Sequence, residues 1–168
     1  MRLQKKLQLL CIAFLTIAFA NAQKNPASPA ATATGKINDA TISINYNSPS
    51  VKGRVIWGEL VPYNTVWRAG ANEATTFETD KDLVIEGSKL PAGKYSFFVI
   101  PNEKECVLIF NKTAKQWGAY KYNQADDQLR VTVKQQKVDL NTESLIYTIN
   151  KNSVVLSWEK WNISFTVK

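Results

Sequence analysis

The chain has 168 residues, with 21 Lys or Arg against 14 Asp or Glu, a formal net charge of +7, two cysteines and no histidine. The missing histidine removes the usual general base, the Ser-His-Asp and Cys-His nucleophile systems, and nearly all zinc and copper sites. The lysines are spread along the chain with no basic stripe and no aromatic-interleaved patch, so the positive charge does not point to nucleic acid.

At the N-terminus Arg2, Lys5 and Lys6 precede an apolar run over residues 7–20, and Ala20-Asn21-Ala22 is an A-x-A cleavage signal. Residues 1–22 are therefore expected to be a signal peptide, with the mature chain starting at Gln23. The run is short for a membrane span, and no later stretch approaches the roughly 20 apolar residues a spanning helix needs. Cys11 follows Leu10, where a lipid-anchor signal has a small residue. The expected product is soluble and exported, periplasmic or extracellular. It keeps 18 basic against 14 acidic residues, a net charge of +4. Cys106 is then the only cysteine, inside the apolar run CVLIF, and reads as a buried inert thiol. Residues 23–36, beginning QKNPASPAATATG, carry no large apolar side chain and are expected to form a flexible leader. Residues 37–168 are the size of one domain.

Period-two alternation runs through that domain in chain order: TISINY, ATTFET, DLVIEG, KYSFFVIP with apolar residues on both faces, the buried run ECVLIF, LRVTV, SLIYTI, SVVLSW and WNISFTV. This is the pattern of half-buried strands, eight or nine of them. Short polar turns separate them at Asp80-Lys81-Asp82, Glu86-Gly87-Ser88, Pro91-Ala92-Gly93, Pro101-Asn102-Glu103 and Asn150-Lys151-Asn152, so neighbouring strands run antiparallel. No amphipathic helix is available to cover a sheet, and an all-β antiparallel sandwich is the expected fold.

The chemistry-bearing patterns are sparse. The seven glycines are isolated and make no phosphate loop. Ser157-Trp158-Glu159-Lys160 matches S-x-x-K, but in a predicted strand residues three apart face opposite ways. Carboxylates group at Glu78, Asp80 and Asp82, at Glu103 and Glu105, and at Asp126 and Asp127. At loop tips these remain ordinary solvated acids, whereas a glycosidase needs two facing carboxyls with one pKa raised. The 78–82 group lacks the length of an EF-hand loop. No catalytic residue, cofactor or metal ligand is assigned.

One stretch breaks the strand pattern: VPYNTVWRAGANEATTF, residues 61–77. Gly70 and Asn72 are the residue types most tolerant of positive φ, so a bend at Gly70 is expected. It would place Arg68 and Glu73 on its two limbs, where a guanidinium and a carboxylate pair bidentately. The string VKGRVIWGELVPYNTVWRAGANEATTF, with LPAGKYSFFVIP, FNKTAKQWGAYKY and DQLRVTV after it, resembles the DUF2911 family, a domain of unknown function in exported bacterial proteins common in Bacteroidota. The likeness runs over residues 40–161. Its most specific motif, W-R-x-G-A-N-E, is matched at Trp67, Arg68, Gly70, Ala71, Asn72 and Glu73, and a second at Gln116, Trp117 and Gly118. Ala69 stands where such proteins often carry Thr or Pro. The resemblance implies a bacterial source, export and a β-rich fold, and brings no reaction, ligand or catalytic residue.

Two readings of the motif stand side by side. An Arg68–Glu73 pair packed on Trp67 would fix the register between sheets. Alternatively, Trp67, Arg68, Asn72, Glu73, Trp117 and Tyr120 form a ligand site, with aromatic faces for sugar C–H groups and polar groups for hydroxyls. The function expected is an exported, non-catalytic binding module for a small polar ligand or glycan. A protein-interaction or cell-envelope structural module is the alternative. A hydrolase using Glu73 ranks last, because a neighbouring arginine lowers a carboxylate's pKa and unfits it as a general acid.

Overall fold

A computed structural model describes residues 27–168; the expected signal peptide and cleavage site lie outside the described residues. Ten strands follow one another: β1 (Ala30–Ile37), β2 (Ala40–Asn47), β3 (Thr76–Thr79), β4 (Leu83–Ile85), β5 (Ser88–Leu90), β6 (Gly93–Pro101), β7 (Cys106–Asn111), β8 (Asp127–Val133), β9 (Gln136–Ile149) and β10 (Ser153–Thr166). All strand pairs are antiparallel. A six-stranded sheet has the order β1-β2-β3-β6-β7-β8, while β9 with β10 and β4 with β5 form two-stranded ribbons. The one helical element among the described residues is a 3-10 turn at Gln124–Asp126, capped by the Asn123 side chain on the Ala125 N–H. No helix of the described residues is long and apolar enough to cross a membrane.

The sandwich forms because β10 lays its apolar face across the large sheet. Phe165 of β10 sits 6.4 Å from Phe77, 5.8 Å from Phe97 and 6.1 Å from Phe110, centroid to centroid, so one ring from the ribbon meets one each from β3, β6 and β7. All four are essentially fully buried, and such tilted and edge-on contacts add to the area they remove from water. The sequence reads SVVLSW and WNISFTV as two strands; they are one. A β-bulge at Glu159, whose φ is +53°, shifts the register. Before it Val154, Leu156 and Trp158 face the core; after it Trp161, Ile163 and Phe165 do. The extra residue changes the parity of the alternation, which keeps both halves facing inward.

The flexible leader is corrected over its described part. Residues 30–36 belong to β1, which pairs with β2 from Ala30↔Asn47 to Ile37↔Ala40. The glycine is a packing requirement: β1 lies against β9, and a Cβ at Gly35 would stand 2.8 Å from Ile149 Cγ2. At that position the missing side chain reflects close approach of a neighbour rather than lack of structure.

The double-sided apolar character of β6 also has its reason. Phe97 and Val99 face the main core, while Phe98, with Ile109 of β7 and Ala74, forms a second buried cluster flanked by Val66, Ile100, Ala119 and Tyr122. The outer face of the sheet is therefore roofed by chain on either side of the bend and by the turn after Gln116. That roof is where the sequence motifs fall.

Candidate functional site

The bend starts from a fixed point. Trp67 and Val99 exchange backbone hydrogen bonds of 2.8 and 2.9 Å, so the motif begins tied to β6. Trp67 stacks on Trp158 at 5.7 Å and meets Trp57 edge-on at 5.7 Å, and its indole N–H donates to the Gly70 carbonyl at 3.2 Å. The bend closes when the Thr75 N–H reaches the Arg68 carbonyl at 3.2 Å.

The left-handed residues are Ala69, at φ +51°, and Asn72, at φ +57°; the expected turn at Gly70 is thus displaced to its neighbours. Gly70 serves close approach instead, since a Cβ there would lie 2.9 Å from Thr75 Oγ1 and 3.1 Å from the Asn47 carbonyl oxygen. Left-handed backbone at an alanine costs roughly 1–2 kcal/mol. Two donors offset it, because the buried Ala69 carbonyl accepts from Thr75 Oγ1 at 2.9 Å and from the Tyr147 hydroxyl at 2.8 Å. Burial holds the Tyr147 phenol well above the ordinary tyrosine range, so it stays a donor.

The second motif docks on the first through backbone hydrogen bonds. The Ala74 N–H donates to the Gln116 carbonyl at 2.9 Å, the Gly118 N–H to the Asn72 carbonyl at 3.0 Å, and Glu73 and Trp117 form an antiparallel bridge between these bonds. Gly118 has φ +64°, and a Cβ on it would meet the Tyr120 ring at 3.0 Å and Arg68 NH1 at 3.1 Å. All six residues singled out in the sequence therefore lie on the bend or the adjoining turn. Trp67 and Arg68 are half-buried, Asn72 and Glu73 exposed, and Trp117 and Tyr120 project with 63% and 83% of their surface open.

Arg68 and Glu73 do not pair. The ion pairs among the described residues are Lys89–Asp82, Lys94–Glu78 and Arg130–Asp127. The two left-handed residues between them turn the limbs toward different hollows. Glu73 lines one of about 360 Å³ with Tyr46, Thr76, Lys94 and Gln116. Arg68 lines another of about 300 Å³ with Trp67 and Trp158. The carboxylates of the 78–82 group are engaged structurally: Asp80 accepts from the Thr41 N–H at 2.7 Å, and Asp82 from the Ala92 N–H at 2.8 Å as well as from Lys89.

Each hollow retains hydrogen-bonding capacity. Gln116, 8% exposed, spends its amide N–H groups on Asn111 Oδ1 at 3.1 Å and the Thr113 carbonyl at 2.8 Å, which leaves its Oε1 without a partner. Thr76 Oγ1 is likewise buried and unpartnered. These atoms, with Glu73, can accept or donate to hydroxyls. Glu73 is the one acid lining its hollow, so the arrangement lacks the facing carboxyl pair of glycoside hydrolysis. Asp127, expected from the sequence to be a solvated loop-tip acid, is instead the first residue of β8 with its side chain 6% exposed, and it supports the site from behind: Asn111 donates to the Asn123 carbonyl at 3.0 Å and Asp127 Oδ1 at 2.8 Å, and Asp127 Oδ2 accepts from Tyr122 at 2.6 Å and Arg130 at 2.8 Å. No local pattern marks them, because their meeting depends on β7 pairing with β8.

No curated protein and no solved structure matches this chain. Over residues 28–167, which include the W-R-x-G-A-N-E bend and the Gln116-Trp117-Gly118 turn, the chain matches the family described as a protein of unknown function (DUF2911), and it belongs to that family.

Proposed function

We propose that this protein is an exported, non-catalytic binding module for a small polar ligand or glycan. The observation that carries the reading is the bridge between Glu73 and Trp117. It sets a mostly exposed indole beside a hollow lined by Gln116 and Thr76, whose Oε1 and Oγ1 have no partner within the chain. Trp117 and Tyr120 offer stacking faces to the C–H side of a sugar ring, and Glu73, Thr76 and Gln116 offer fixed partners to its hydroxyls. An adaptable surface on a rigid sandwich is where recognition usually resides.

Titration of the ¹⁵N-labelled protein with a panel of neutral oligosaccharides tests this. A binder should perturb the Trp117 indole and the Gln116 amide together, and Trp117→Ala should weaken it by tenfold or more. If Trp117→Ala leaves every saccharide response unchanged, the reading fails. Should no saccharide bind while Trp117→Ala abolishes retention of a cell-envelope protein, the exposed aromatics belong to a protein interface instead.

A further inference from the structure

We infer that the hollow beside Trp67 is a binding site for a small organic carboxylate with an apolar body, Arg68 being the group that receives the carboxylate. Arg68 is half-buried, and its Nε is shut off from solvent with no hydrogen-bond acceptor. No carboxylate of its own chain serves it. The ion pairs among the described residues go elsewhere, and residues 1–26 contain neither Asp nor Glu. A guanidinium with a desolvated Nε and no counter-charge is the unfavourable half of an ion pair whose other half is missing.

The surroundings define what would complete it. Trp158, 1% exposed, lines the same hollow, and its indole N–H also has no acceptor. The remaining wall is largely apolar, with Leu60, Val61, Pro62 and Val66. Arg54 stands at the same hollow with its Nε–H donated to the Val51 carbonyl and one terminal N–H to the Ser50 carbonyl, so it adds positive charge without supplying an acceptor. Two unanswered donors, positive charge and an apolar wall together describe a receptor for an anion with a hydrophobic body. A carboxylate is planar and is received side by side by two N–H groups of one guanidinium. The volume, about 300 Å³, is at the small end of ligand pockets and fits a single ring or a short branched chain.

This site is separate from the proposed saccharide surface, since neither Glu73 nor Trp117 lines it. Its response should survive Trp117→Ala, so either reading can fail alone. The test uses the full-length gene product as the cell processes it, ¹⁵N-labelled, with benzoate and its neutral counterpart benzamide as probes. The Arg68 Nε–H and Trp158 indole resonances should shift saturably with benzoate at millimolar concentration. Benzamide should be at least tenfold weaker, and Arg68→Lys, which keeps the charge but loses the planar fork, should weaken benzoate about tenfold. Equal responses to benzoate and benzamide, or no saturable benzoate shift beyond that of sodium chloride at matched ionic strength, overturn the inference without any variant having to fold. Phenyl phosphate binding more tightly than benzoate would overturn the assignment to a carboxylate.

Discussion

Arg130 and Arg68 both stand at the margin of the roof over β6 and β7, in opposite electrostatic settings. Arg130, its side chain 32% exposed, places NH1 2.8 Å from Asp127 Oδ2 and 2.8 Å from the Tyr122 hydroxyl, while Asp127, 6% exposed, also accepts from Tyr122 and Asn111. Every charge in that cluster is answered from within a short span of chain and the strand beside it. Arg68 has its Nε enclosed and no answering carboxylate. A charge that serves the fold brings its counterpart with it, because leaving one half buried alone is costly. An arginine without one marks a place where the chain's own chemistry is incomplete.

Removing Asp127 gives the largest effect expected from this contrast. Asp127→Ala deprives the fully buried Asn111 amide, the Tyr122 hydroxyl and Arg130 of their common acceptor, and should cost about 2–3 kcal/mol in urea unfolding. A loss under about 0.5 kcal/mol would mean that water replaces the carboxylate freely and that the cluster is not a structural one.

Gly118→Ala should cost about 1–2 kcal/mol, because an L side chain is strained at φ +64° and its Cβ would press on Tyr120 and Arg68. The displaced guanidinium should also move the Arg68 Nε–H resonance. An unchanged resonance in a folded variant would separate the turn from the arginine.

Arg68→Met should change stability by no more than about 1 kcal/mol in either direction, since it strands no partner and removes an unanswered charge from a partly apolar wall. A loss above about 2 kcal/mol in the same urea measurement would reveal an internal partner and collapse the contrast between the two arginines.

A last effect appears only at alkaline pH. Burial, followed by the hydrogen bond to Asp127 and that carboxylate's charge, pushes the Tyr122 phenol up from 10.0 to about 12. The folded pKa lies above the unfolded one, so the contribution is fully present below about pH 10 and fades as pH rises from about 10 to about 12. The stability of the protein relative to its Tyr122→Phe variant should therefore decline across that window. A pH-independent difference in urea midpoint would contradict it.

Sequence alone determined the class of this fold and much of its local order. Alternation in TISINY, LRVTV and WNISFTV shows which residues face inward because side chains on a strand alternate with a period of two. KYSFFVIP, read as apolar on both faces, lies between two buried clusters, and Cys106 is buried with its thiol pushed up to about 11 by desolvation. The W-R-x-G-A-N-E and Gln-Trp-Gly motifs were legible as words, though not as neighbours. Tertiary structure decided the rest, where the meaning of a residue depends on what lies across from it. Gly35 in β1 reads as part of a loose leader until Ile149 of β9 is placed against it. One residue at Glu159 reverses the parity of β10, which no local pattern distinguishes from a break between two strands. Arg68 and Glu73, five positions apart and opposite in charge, read as a pair until two left-handed residues send them to different hollows. Periodicity is a property of the chain and can be read along it. Pairing of charges and closeness of backbones are properties of three-dimensional neighbours, fixed only when the strands have found their register.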